Sequence, residues 1–171
     1  MPKKSPAIRT FQAQRIRYEI SRTFDQVLSD LRRLVGDATA GVVNDPDARN
    51  ATQEDFERRM QALAGASGFM LFFEINHGDW LPIYGVRRKV TRWIFGNPVI
   101  AYTMIRHDIT AGLFAPVEML LFENELDDGS TLIYDLPSSL MVLDDNPVLL
   151  NAAEALDRKL AELVERVAQE R

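Results

Sequence analysis

"APVEMLLFENELDDGSTLIYDL", residues 115–136, decides the fold. Two apolar, strand-forming runs flank "LDDGS", and Asp128-Gly129 is a strong hairpin signal. Strands that follow one another through so short a turn pair antiparallel. The sheet is therefore expected to be largely antiparallel, and the neighbouring segments have to fit around it.

Working outward from there, "VTRWIF" (90–95) and "GFMLFFEI" (68–75) read as two further strands, the second so apolar that burial on both faces is expected. "FQAQRIRYEI" (11–20) alternates Ile16, Tyr18 and Ile20 with Arg15, Arg17 and Glu19, the period of a half-buried strand. Between these lie helical patterns. "TFDQVLSDLRRLVG" (23–36) puts Phe24, Val27, Leu28, Leu31, Leu34 and Val35 on one stripe, with Thr23 and Gln26 as a capping box and Gly36 as the stop. A loop over 37–51, turned by Asn44, Asp45, Pro46 and Asp47, leads to a helix from about Thr52 carrying Phe56, Met60 and Leu63 on one side. Asn97-Pro98 and Asn146-Pro147 both read as an N-cap followed by proline in the first turn. The first opens a short helix ending near Arg106-His107-Asp108. The second opens the longest helix, striped by Leu149, Ala153, Leu156, Leu160, Leu163 and Val167.

The expected fold is α+β: a single domain over residues 10–171 after a flexible tail, 1–9. It holds a largely antiparallel sheet of about five strands with helices packed on one face. The order is β-α-β-β-β-β-α, with an extra helix in the insert after the first helix. The 171 residues suit one domain, and 46% hydrophobic residues suffice for a core.

Composition narrows the chemistry. There are no cysteines, which removes disulfides, thiol nucleophiles, thiolate zinc sites and iron–sulfur clusters. A net charge of −5 argues against nucleic acid as a partner. No apolar run is long enough to span a bilayer, and "MPKKSPAIRTFQ" carries no signal-peptide core, so the expectation is a cytoplasmic protein without a membrane partner. The charges are unevenly spread. Arg9, Arg15, Arg17, Arg22, Arg32 and Arg33 crowd the first third, and 118–145 holds acids with no Lys or Arg. The two segments either lie together and compensate or are simply solvated.

"WIFGNPVIAYTMIRHDITAGLFAPVEMLLFENELDDGSTLIYDLPSSL", with "EINHG" before it, resembles the domain of unknown function 302 family. The shared signs are a strand ending in a histidine, "IFGNP", the "GLFAP" step before the hairpin, "YDLP" after it, and a closing helix. The resemblance runs through residues 13 to 168 and implies a TATA-binding-protein-like fold. It implies no reaction and transfers no catalytic residues. The insert at 37–65 is longer than the family pattern, and Trp80 and Leu81 stand where small residues are expected.

The candidate site lies in "FFEINHGDWLP", residues 72–82. Glu74 sits among apolar neighbours and has to be paired, protonated or at a wet edge, with Arg87, Arg88 or Arg92 as partners. His77 ends the strand beside Gly78, where it either works with an acid or bonds a loop carbonyl. Glu74 and His77 are the catalytic candidates. Glu74, His77, Trp80, Tyr102 and His107 are the ligand-binding candidates, and no metal site or cofactor is expected. Trp80, Trp93, Tyr84, Tyr102, Phe114 and Tyr134 either line a pocket or fill the core. Ser138-Ser139 lacks the context of a nucleophile. Three functions stay open. The first is binding of a small, mostly apolar ligand between sheet and helices, with Trp80 over the mouth. The second is a cofactor-free acid–base enzyme using His77. The third is a homodimer formed through an exposed sheet edge or face.

Overall fold

The computed structural model describes residues 6–39, 41, 46–125 and 128–169. The expected turn residues Asn44, Asp45 and Asp127, and the first five residues of the expected tail, lie outside these. Six strands form one sheet: β1 (Arg15–Ile20), β2 (Gly36–Asp37), β3 (Met70–Asn76), β4 (Val90–Gly96), β5 (Val117–Glu123) and β6 (Ser130–Asp135). Their order across the sheet is β1-β6-β5-β4-β3-β2, antiparallel throughout except for the β2–β3 pair. The hairpin forms as expected, with Glu123 opposite Ser130. Gly129 there has φ +124°, and Ile20 O lies where a side chain would go.

Among the described residues, five α-helices accompany the sheet: α1 (Phe24–Leu34), α2 (Gln53–Leu63), α3 (Pro98–Ile105), α4 (Pro137–Met141) and α5 (Pro147–Ala168). Short 3-10 turns occupy Pro46–Asn50, His77–Asp79, Leu81–Tyr84 and Ile109–Phe114. The caps are those the sequence calls for. Gln26 N donates to Thr23 Oγ1 (3.3 Å) and Thr23 N to Gln26 Oε1 (3.0 Å), closing the box at α1. Asn97 accepts from Val99 N (2.9 Å) and Asn146 from Leu149 N (3.1 Å), each with proline in the first turn. Such caps satisfy amide groups that the helix itself leaves orphaned.

One face of the sheet carries the main core. Ile20, Leu71, Trp93, Phe95, Met119, Leu121, Leu132 and Tyr134 pack there against Val27, Leu31 and Leu34 of α1 and the whole α5 stripe. A smaller cluster joins Met60 of α2 to Ala38, Met70 and Phe72, with Phe56 and Leu63 against it. On the opposite face α2 covers only the start of β3, where Met60 meets Met70 and Phe72, while Ile94, Leu120, Phe122 and Ile133 are half-buried. The two charged segments of the sequence do meet in part, because Arg15 pairs with Asp135 (2.7 Å) and Arg9 with Asp144 (2.7 Å).

Four expectations need correction. The first strand is shorter, starting at Arg15 rather than near Phe11. The sheet has six strands because two residues, Gly36 and Asp37, pair beside Met70 and Leu71. Gly36 is therefore the start of a strand and not a left-handed stop, and Val35 caps α1 in an extended conformation. Finally, β3 is buried on both faces only at Met70, Leu71 and Phe72, while Phe73 to Asn76 are exposed. The small cluster on α2 covers only the start of the strand.

Trp93 is 1% exposed, and its Nε1–H finds no acceptor among the described residues. A buried donor without a partner carries an uncompensated desolvation cost. Trp93→Phe is thus expected to cost less than about 1.5 kcal/mol in urea unfolding, because lost packing is offset by removal of that donor. A loss above roughly 3 kcal/mol would instead place an acceptor, such as a buried water, at the indole.

Candidate functional site

Glu74 reaches its position through a bulge. Leu71 pairs with Phe95 but Phe73 pairs with Ile94, so Phe72 is an extra residue in β3. In an unbroken strand Leu71 and Phe73 would share a face. The bulge reverses the phase. Phe73 and Ile75 turn to the open face, and Glu74 joins Trp93 on the side of α1.

There Glu74 meets Arg32, not Arg87, Arg88 or Arg92 as expected. Arg32 Nη2 donates to both carboxylate oxygens, at 3.0 and 3.1 Å, and the buried Thr91 hydroxyl donates to Oε1 at 3.2 Å. Arg92 pairs with Glu118 and Arg88 binds Glu123 O (2.9 Å). The three residues Phe24, Leu28 and Arg32 stand four apart on α1, in one column facing the sheet.

Together these groups bound a cleft of about 330 Å³. Phe24, Leu28 and Arg32 form one wall, and Glu74, Asn76 and Thr91 the other. Gly78, Asp79, Arg88 and Lys89 close the end. Lys89 reaches across to Asp25 (2.5 Å), and its ammonium lies 5.9 Å from the centre of the Phe24 ring. Asn76 fixes the turn by accepting from Gly78 N (3.0 Å) and donating to Asp79 (2.7 Å). Three acids (Asp25, Glu74 and Asp79) and three cations therefore surround a space whose apolar lining is Phe24 and Leu28. Arg32 spends one nitrogen on Glu74 and makes no other hydrogen bond among the described residues, so most of its fork is left for a guest.

The other candidates lie elsewhere. His77 is half-buried, and its ring stands edge-on to Trp80 with centroids 5.7 Å apart. Trp80 in turn meets Tyr84 at 6.2 Å. Neither His77 nor Trp80 lines the cleft, and no hydrogen bond joins His77 to Glu74 or Asp79. Tyr102 lies on α3 and His107 just beyond it. Arg106 links these two, its guanidinium 5.9 Å from the Tyr102 ring and its Nε donating to His107 Nε2 at 3.1 Å. Trp93 and Tyr134 are core residues, and Phe114 is half-buried against Phe11. The aromatic residues thus form no common lining. Among the described residues, no group of three or more His, Asp or Glu gathers as metal ligands do, and no helix is long and apolar enough to cross a membrane.

Sequence reading missed Arg32, Thr91 and Asp79 as members of the cleft. The available signal was the column itself, an arginine four residues beyond Leu28 on an otherwise apolar stripe.

No curated protein matches the chain. The solved structures contain a similar fold: the crystal structure of an uncharacterized conserved protein DUF302 from Bacillus stearothermophilus. It is 13% identical, with a TM-score of 0.60 over 90% of this chain and 97% of that one. The family model "Domain of unknown function DUF302" matches residues 47–167, from the 3-10 turn Pro46–Asn50 to the last turn of α5. With the expected order of strands and caps present and most of its length matched, the chain belongs to the DUF302 family.

Proposed function

We propose that the chain is a binding module whose site is the cleft between α1 and the ends of β3 and β4. The observation that carries this reading is the Arg32 fork, of which one nitrogen is spent on Glu74 beside Thr91. A side chain oriented by a carboxylate and left with free donors is ready to bind a carboxylate or phosphate guest. Asp79, bonded through one oxygen to Asn76, supplies an acceptor for a guest cation at the other end. The walls change the expected ligand. They favour a small molecule charged at both ends over the mostly apolar one that the aromatic residues suggested.

Native mass spectrometry of protein purified gently from its source gives the first test, because a bound guest adds mass that is lost on denaturation. Isotope-labelled protein is then titrated with free amino acids and longer ω-amino acids. Shifts are expected at the amides of Leu28, Arg32 and Thr91, and Arg32→Gln should weaken binding by roughly tenfold or more. No added mass together with no shift from any of these compounds would remove the reading. So would binding that Arg32→Gln leaves unchanged.

A further inference from the structure

The two edges of the sheet differ. One edge is β1, and the other is the short β2 lying beside β3. β1 alternates its apolar residues with exposed Arg15, Arg17 and Glu19, charges of the kind that keep a free edge from pairing. β2 pairs only with Met70 and Leu71. Beyond it β3 runs on to Asn76, and Phe73 to Asn76 are exposed. That stretch is a second free edge, and its side chains on the open face are the apolar Phe73 and Ile75.

Two hydrogen bonds fix which way its main chain points. Leu71 O accepts from Ala38 N at 2.9 Å, so Leu71 faces β2. Lys89 O accepts from Glu123 N at 3.0 Å, so Lys89 faces β5. Alternation along β4 then turns Thr91 and Trp93 towards β5, and Arg92 and Ile94 towards β3. Phe73 and Ile75, opposite Ile94 and Arg92, therefore spend their N–H and C=O groups on β4. Glu74 and Asn76 point theirs outward, and no described residue meets them there. Unpaired main-chain groups in a row are a template for another strand.

The strand that fits is this one. A two-fold axis through Ile75 sets Glu74 opposite Asn76 of a second copy, and Asn76 opposite its Glu74. Each such pair exchanges two hydrogen bonds, so every outward group of both copies is used. Ile75 then meets its own counterpart on the open face. No like charges face each other, and Arg32 already compensates Glu74. The space along the edge is short, because β2 occupies it at Leu71. A second copy respects that limit. Its strand turns away after Asn76, which accepts from Gly78 N at 3.0 Å. A long extended peptide has no such turn and runs into β2.

We propose that two copies of this chain pair antiparallel through Glu74–Asn76 about a two-fold axis at Ile75, joining their sheets edge to edge. So short a ladder buries less than the roughly 1,200 Å² of a standard interface, so the association is weak and grows with concentration. It uses main chain and the open face, and stands or falls independently of the Arg32 cleft.

Sedimentation of the full-length protein from about 20 μM to about 1 mM tests it. The mass is expected to rise from 19.4 kDa towards twice that value. Over the same range the amides of Glu74 and Asn76 should exchange more slowly with solvent, while those of β1 stay unchanged. Ile75→Lys and Ile75→Glu should each weaken association by roughly tenfold or more, because each sets like charges face to face across the axis. An equimolar mixture of the two variants should associate again. A protein that stays monomeric at about 1 mM overturns the proposal. So does a dimer that Ile75→Lys leaves intact, or one that protects β1 instead of β3. A mixture that associates no better than either variant alone overturns it too, because Ile75 then does not face itself.

Discussion

Gly36→Ala is expected to cost about 4 kcal/mol in urea unfolding, in the range where only a few named mechanisms operate. The mechanism here is a collision of main chains. A methyl group on Gly36 would fall 2.7 Å from Gly65 N and closer still to Leu63 O. A methyl group on Gly65 would fall 2.6 Å from Val35 C, with Leu34 O and Gly36 N nearer again. No flexible side chain is available to yield. Both segments are also pinned: Gly36 N and Gly65 N each donate to Phe69 O at 2.9 Å, and Ser67 N donates to Leu34 O at 3.0 Å. Alanine at either site has to pry the end of α1 from the end of α2, which disturbs β2 and the start of β3 together. Gly65→Ala should match Gly36→Ala, and the double variant should fall well short of their sum because one separation relieves both clashes. Gly85, with φ +84° and open space around it, is the control. Alanine there meets only the left-handed backbone cost, about 1–2 kcal/mol. A Gly36→Ala loss no larger than the Gly85→Ala loss would contradict the close approach.

Local signals carried most of the fold. The alternation in β1, the Asp-Gly hairpin, the two Asn-Pro starts and the α5 stripe each depend on neighbours in the sequence, and the structure contains each of them. What stayed hidden depends on distant segments. β2 has no strand pattern of its own and exists because Gly36 lets the chain run beside Met70. The exposure of Phe73 and Ile75, at 54% and 38%, follows from where α2 stops covering β3. The five-residue helix α4 is too short to show a period, and its first turn is completed by Asp157, which accepts from Ser138 N at 3.0 Å.

The candidate site divides along the same line. Glu74 stood out because an acid in an apolar strand requires a physical explanation. Its partner did not, because Arg32 lies 42 residues away and the bulge at Phe72 decides which face Glu74 occupies. Without the bulge, period two would put Glu74 on the open face with Arg92, one of its expected partners. His77 and Trp80 are close in sequence and meet edge-on across the turn, so their proximity reflects the turn and not a shared cleft.

Asp30→Ala is expected to cost about 3 kcal/mol at pH 7, as removal of one member of a buried ion pair does. Asp30 and Arg22 have side chains only 14% and 15% exposed, and Arg22 Nη1 donates to Asp30 at 2.8 Å. The same nitrogen donates to Val167 O at 2.7 Å, satisfying a carbonyl in the last turn of α5. Ser130 Oγ donates to Arg22 O at 2.9 Å, and Arg33 adds a second cation at Asp30 (3.0 Å). Arg22 thus ties the start of α1 to the end of α5 through its guanidinium and to the start of β6 through its backbone carbonyl. Truncating Asp30 leaves the Arg22 guanidinium buried with a single carbonyl for company. The hydrogen bonds from Arg22 and then Arg33 hold the Asp30 carboxyl below its ordinary value, against the opposing effect of burial. The unfolded chain therefore binds the proton more readily, and stability rises with pH across the interval between the two values. The contribution is full above the unfolded value, near about pH 4, and is lost as pH falls through the lower folded value. Asp30→Asn should therefore lie well below the parent protein at pH 7 and converge with it in acid. Urea unfolding of both proteins from pH 7 to pH 2 measures the gap directly. A gap that stays constant through that range, or one under about 1 kcal/mol at pH 7, would reduce the Arg22–Asp30 pair to an ordinary surface contact.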